Sequence, residues 1–236
     1  MNFFSSLLDV SEVVLDLLLL VFLLRGPIRK HLMFAVYVVT ALAADLVDNV
    51  AYYRLGWRSA AYYKLFWTDR TLLDLLLFVV VIVFTYEALG DSKLRPKAAK
   101  ALGVILAVAL ILPFAWLHGH HGKQYGFFTN RWFMDVSQSW NFGAGIMNLV
   151  LWTALLSNRR RDPELVTLSI GLGVITSGAA IAWGARQWLA AGDRWLVDAF
   201  MSVTHLIGVS VWCWVFRPKT QRPGNAVPPN ALTTPS

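Results

Sequence analysis

The chain has 236 residues, of which 57% are hydrophobic and only 15% charged, and its net charge is +7. Apolar runs recur along nearly the whole length, which excludes an ordinary soluble domain and points to a polytopic membrane protein. The positive balance does not indicate nucleic acid: Lys and Arg collect in particular connections, as membrane topology demands, and no soluble basic domain is present.

Seven apolar segments follow one another: Leu7 to Leu24, Leu32 to Tyr53, Ala61 to Ala88, Ala98 to Leu117, Phe133 to Leu156, Leu165 to Trp188 and Trp195 to Phe216. Each is close to the twenty or so residues needed to cross hydrocarbon. The expected fold is therefore all-α, a polytopic membrane protein with seven transmembrane helices over residues 1–216, ahead of a disordered Pro-rich tail over 217–236. The first segment carries Asp9, Glu12 and Asp16 and follows an N-terminus without Lys or Arg, unlike a cleaved signal peptide. The third holds Asp69, Arg70 and Asp74, each costing about 2.5 to 3.5 kcal/mol at a helix centre, so they need partners in a bundle. The fourth has no charged side chain between Lys100 and Leu117 and can face lipid, with Pro113 kinking it. The sixth, with Gly171, Gly173, Ser177, Gly178, Ala182 and Gly184, is built for close helix packing. Cys213 is the single cysteine, which excludes an internal disulfide or a cysteine zinc site.

Most of the 21 Lys and Arg fall in connections one, three and five and in the tail: Arg25, Arg29 and Lys30; Lys93, Arg95, Lys97 and Lys100; Arg159 to Arg161; Arg217, Lys219 and Arg222. The positive-inside rule then places the N-terminus outside and the C-terminus in the cytoplasm. Trp57, Trp67, Trp116, Trp132, Trp188 and Trp195 fall near the outer ends, where an aromatic belt belongs. The connections are too short for a catalytic or output domain, so a signal would leave through the helices to a separate partner.

With that topology the intramembrane polar residues gather in the outer half. Asp9, Glu12 and Asp16 share a face, as do Asp45, Asp48 and Tyr52 in the second segment and Asp198, Ser202 and His205 in the seventh. Asp69, Arg70, Asp74, Asp135, Gln138 and Asn141 come from the third and fifth. The expected site is an outward-facing acidic pocket of Asp45, Asp48, Asp69, Arg70, Asp74, Asp135, Gln138, Asp198, Ser202 and His205. The bland alternative is a buried hydrogen-bond network with some acids at the interface, which suits Asp9 and Glu12 best. Acids crowded in a poorly solvated pocket cannot all stay ionised, so pH or cation sensitivity is expected. His118, His120 and His121 form a weak candidate metal set without a fixed fourth ligand. No catalytic residue or cofactor is indicated, and the reading leans away from an enzyme.

Three functions compete. A receptor or sensor-like protein binding a small polar or cationic ligand fits the one-sided pocket. A proton- or cation-coupled transporter is the second, but the SWEET pattern fails because segments one and five contain no Pro. An intramembrane hydrolase is the third, but the ceramidase-like histidine pairs are missing, since only His205 lies inside a segment. A retinal pigment is excluded because the seventh segment has no Lys.

Tyr52-Tyr53 closing the second segment, Trp67 early in the third, Glu87 at its end and Arg95-Pro96 in the basic stretch beyond give one family likeness. Over about the first hundred residues the chain resembles uncharacterised seven-helix membrane proteins of bacteria. The resemblance implies a multi-pass protein of the bacterial cytoplasmic (inner) membrane, with the lipid bilayer as its surroundings, and no particular activity.

Overall fold

The computed structural model describes residues 3–26, 30–56, 59–90, 95–121, 128–157, 162–189 and 194–217. Among them are seven helices and no strand: α1 (Phe3–Arg25), α2 (Leu32–Leu55), α3 (Ala60–Ala88), α4 (Arg95–His121), α5 (Asn130–Ser157), α6 (Pro163–Trp188) and α7 (Arg194–Phe216). Among the described residues, four stretches are long and apolar enough to cross a membrane, namely Leu32–Leu55, Ala60–Ala88, Pro163–Arg186 and Trp195–Phe216. Residues 218–236, where a disordered tail is expected, lie outside the described residues.

Local chemistry sets the helix ends. Gly56 closes α2 at φ 77°, a left-handed value that glycine adopts without steric cost. Ser59 then opens α3 by accepting the Tyr62 N–H at 3.1 Å. Asp162 opens α6 by accepting the Glu164 N–H at 2.9 Å, with Pro163 in the first turn, where its missing N–H costs nothing.

The helices close a ring in the order α1, α2, α3, α5, α6, α7 and back to α1, and α3 also touches α6. The fourth helix stands outside it, packed among the described residues on α3 and α5, with Val104, Ile111 and Leu112 at least half exposed. One anchor of α4 follows from its proline. Pro113 has no N–H to offer the Ala109 carbonyl one turn earlier, and the Trp140 indole of α5 donates to that carbonyl at 2.9 Å.

Two apolar clusters fill the bundle. The larger occupies the end where α2, α4 and α6 begin and α1, α3 and α7 finish, here called the basic end, and is built around Phe34, Phe84 and Trp212. The smaller lies toward the opposite end between α3, α5 and α6, with Trp67, Trp132, Trp140 and Trp183. Aromatic packing thus fills the α3/α5/α6 side of that end, and the polar groups are distributed around it.

Candidate functional site

The polar side chains form three neighbourhoods in the half opposite the basic end. In the first, α1, α2 and α7 meet. Asp16, only 4% exposed, faces His205 Nε2 at 3.8 Å, and Asp45 lies in the electrostatic field of Asp16, Glu12, His205 and Arg70. The side chain of Asp9 lies outside the described part.

In the second, α2 meets α3. Asp48 lies in the field of Asp69 and Arg70. One carboxylate oxygen of each acid is buried without a hydrogen-bond partner among the described residues. Tyr52 and Tyr62 pack edge to face beside them at 6.0 Å.

In the third, α3 meets α5. Asp74 is buried and accepts the Ser137 hydroxyl; Asn141 is its second hydrogen-bonding neighbour, and Arg70 acts on it from one turn away. Asn141 also donates to the Ser137 carbonyl at 3.1 Å, leaving its own Oδ1 unpartnered. Arg70 links all three neighbourhoods electrostatically.

The other expected residues stand apart. Asp198 is paired with Arg186 at 3.2 Å, and its side chain is 59% exposed. Its helical face is that of His205, but two turns separate them, about 10 Å along the axis. Asp135, Gln138 and Ser202 are half-buried. His118, His120 and His121 end α4, and their side chains lie outside the described part; among the described residues no group of three or more His, Cys, Asp or Glu could hold a metal ion.

Sequence reasoning missed a charged node at the basic end. Lys30 bridges Asp162 at 3.1 Å and Glu164 at 2.6 Å. His31 beside it has a fully buried side chain, with Nδ1 3.8 Å from Glu87 and Nε2 3.7 Å from Glu164, both nitrogens lacking a hydrogen bond. Phe84 and Phe216 pack edgewise on its ring at 5.8 and 5.9 Å. The available signal was the run Arg29-Lys30-His31 before α2 together with Asp162-Pro163-Glu164 opening α6, two helix starts at one end of the bundle.

Burial lowers the His31 pKa, as does Lys30, and the pull of Glu164 and Asp162 offsets this only in part. Burial also works against the Lys30 ammonium, but its hydrogen bonds to Glu164 and Asp162 outweigh this and raise its pKa. Burial pushes the Asp162 carboxyl up, yet Lys30 and the Glu164 N–H more than offset it and hold it below the usual range.

The His31 shift has a definite sign. Below about pH 6.5 the unfolded chain takes up a proton at His31 that the folded chain resists, so stability falls as pH drops toward the folded pKa, by at most about 1.4 kcal/mol per pH unit. The Tm of the detergent-solubilised wild type, taken relative to that of His31→Phe, should therefore fall from pH 7 to pH 5. A difference that instead grows toward pH 5 would mean that Glu87 and Glu164 charge the imidazole despite its burial.

Comparison with family models, with characterised proteins and with solved structures finds no match.

Proposed function

We propose that the protein is a multi-pass receptor or sensor of a bacterial cytoplasmic membrane, with seven spans, the N-terminus outside and the basic end in the cytoplasm. Its outer half takes up a small cationic or amine-bearing ligand. The observation that carries this reading is the charge balance between α1, α2 and α3. Asp16 and Asp45 stand where α1 meets α2, Asp48 and Asp69 where α2 meets α3, and Asp74 behind them against α5, with Arg70 and His205 as the cations in their field. A ligand cation supplies the missing positive charge and satisfies the orphaned oxygens of Asp48 and Asp69, while Tyr52 and Tyr62 offer ring faces to it. The signal then passes to a separate partner through helix movement.

A proton- or cation-coupled transporter is the second reading, favoured by the His31 node. Titratable groups stand on either side of an aromatic layer, in which Trp212 packs on Tyr37 at 6.1 Å and on Phe34 at 4.8 Å. As a plug, that layer supports the receptor; as a gate, it would serve transport.

The test uses the protein in nanodiscs with simple amines such as choline, ethanolamine and putrescine as probes, read by tryptophan fluorescence and calorimetry. Asp45→Asn and Asp48→Asn are each expected to weaken binding about tenfold or more, as losing a charge-assisted contact requires. Thiol labelling of Asp48→Cys and Gln138→Cys in a Cys213→Ser background should occur from the outside only. Labelling from both faces would favour transport, and no binding of any amine or metal cation would remove the receptor reading.

A further inference from the structure

Outside the bundle, α6 and α7 leave a furrow of about 580 Å³ between them, walled by Ile170, Val203, Leu206, Ile207 and Val211. It runs from Val203 to Trp214, eleven residues or about 16 Å along α7, close to half of a bilayer's hydrocarbon thickness. At the basic end it meets a second hollow of about 870 Å³, whose walls include Arg25, Arg217 and Glu164; Thr167 and Trp214 line both. The two are one surface, an apolar trough with a charged mouth.

The charge at that mouth is selective. Its two acids, Asp162 and Glu164, are engaged by Lys30. Arg25 and Arg217 have no carboxylate partner among the described residues, and Arg217 lies over the Trp214 ring at 5.0 Å. Two guanidiniums without a carboxylate partner among the described residues, above a trough one leaflet deep, match a phosphodiester carrying an acyl chain. Trp214, 57% exposed at the junction, sits where an interfacial ring belongs.

We propose that this surface is a binding site for an anionic phospholipid of the leaflet at the basic end, with its phosphate between Arg25 and Arg217 and one acyl chain along Ile170, Ile207 and Val211. The site is independent of the acidic half of the bundle and requires only that α6 and α7 lie in a membrane. A lipid seated there holds the start of α6 against the ends of α1 and α7, beside the Lys30 and His31 node.

Native mass spectrometry of the full chain released from nanodiscs of equal phosphatidylglycerol and phosphatidylcholine tests this. The wild type should retain phosphatidylglycerol in preference by about fivefold or more, and the Arg25→Gln/Arg217→Gln double variant should lose that preference. Ile207→Trp, which fills the trough and leaves both arginines, should lower phosphatidylglycerol retention while the protein stays monodisperse. Equal retention of the two lipids by the wild type, or a preference that survives in the double variant, overturns the proposal. Glycerol phosphate stabilising the protein as strongly as the lipid would show a headgroup-only anion site, which also overturns it.

Discussion

Trp212→Ala is expected to cost about 3 to 5 kcal/mol of stability, with Gly171→Leu preventing the native bundle from forming. Lipid chains are as apolar as leucine, so helices in a membrane are held by close packing and hydrogen bonds rather than by escape from water. Trp212 supplies both. Its indole donates to the Leu168 carbonyl of α6 at 3.1 Å, and its ring packs perpendicular to Phe34 of α2 at 4.8 Å. It reaches that carbonyl only because Gly171 has no side chain: a β-carbon there would overlap the indole and lie 3.0 Å from the Gly208 carbonyl oxygen. The crossing is reciprocal, since a β-carbon at Gly208 would lie 3.0 Å from the Gly171 oxygen and collide with Ile175. Truncating Trp212 therefore leaves a cavity at the junction of α2, α6 and α7, and enlarging Gly171 drives two of those helices apart. Thermal or SDS unfolding measures both. Gly171→Ala with unchanged stability, or Trp212→Ala costing under about 1 kcal/mol, would refute so close a crossing.

The glycine crossing was legible in the sequence as a small-residue stripe; the tryptophan that occupies it was not. Helix positions were legible for a similar reason, since an apolar run long enough to span shows in composition alone, as with Leu32 to Tyr53 against the observed Leu32–Leu55. The disagreements fall where a helix continues into charge. The fourth segment was expected to begin at Ala98, but α4 starts at Arg95, because Arg95 and Pro96 are compatible with a first helical turn that apolarity cannot mark. Periodicity gave the face of each acid and not its neighbour. Asp198 and His205 share a face, yet one pairs with Arg186 at the exposed end and the other with Asp16 inside. The position of α4 outside the ring, and the meeting of His31 with Glu87 and Glu164, depend on ring closure that no local pattern encodes.

Ser137→Ala is expected to cost about 1.5 to 3 kcal/mol and Asp74→Leu about 3 to 5, with the double variant costing clearly less than their sum. Neutral hydrogen bonds between membrane helices couple by only about 0.6 kcal/mol on average, because partners are found in the unfolded state as well. This pair should exceed that value. Its acceptor is a carboxylate 8% exposed, its donor is fully buried, and Asn141 and Arg70 confine the same group from two sides. Removing the hydroxyl leaves the carboxylate short of a donor; removing the carboxylate leaves Ser137 and Asn141 facing apolar surface. With both replaced, each loss is counted once, so a coupling of about 1.5 kcal/mol or more is expected from the cycle in detergent. Asp74→Asn retains an oxygen to accept from Ser137, so it should cost far less than Asp74→Leu and separates the role of the charge from that of the shape. Additivity within about 0.5 kcal/mol would show that α3 and α5 are held by their apolar contacts alone, leaving Asp74 free to serve a ligand instead of the fold.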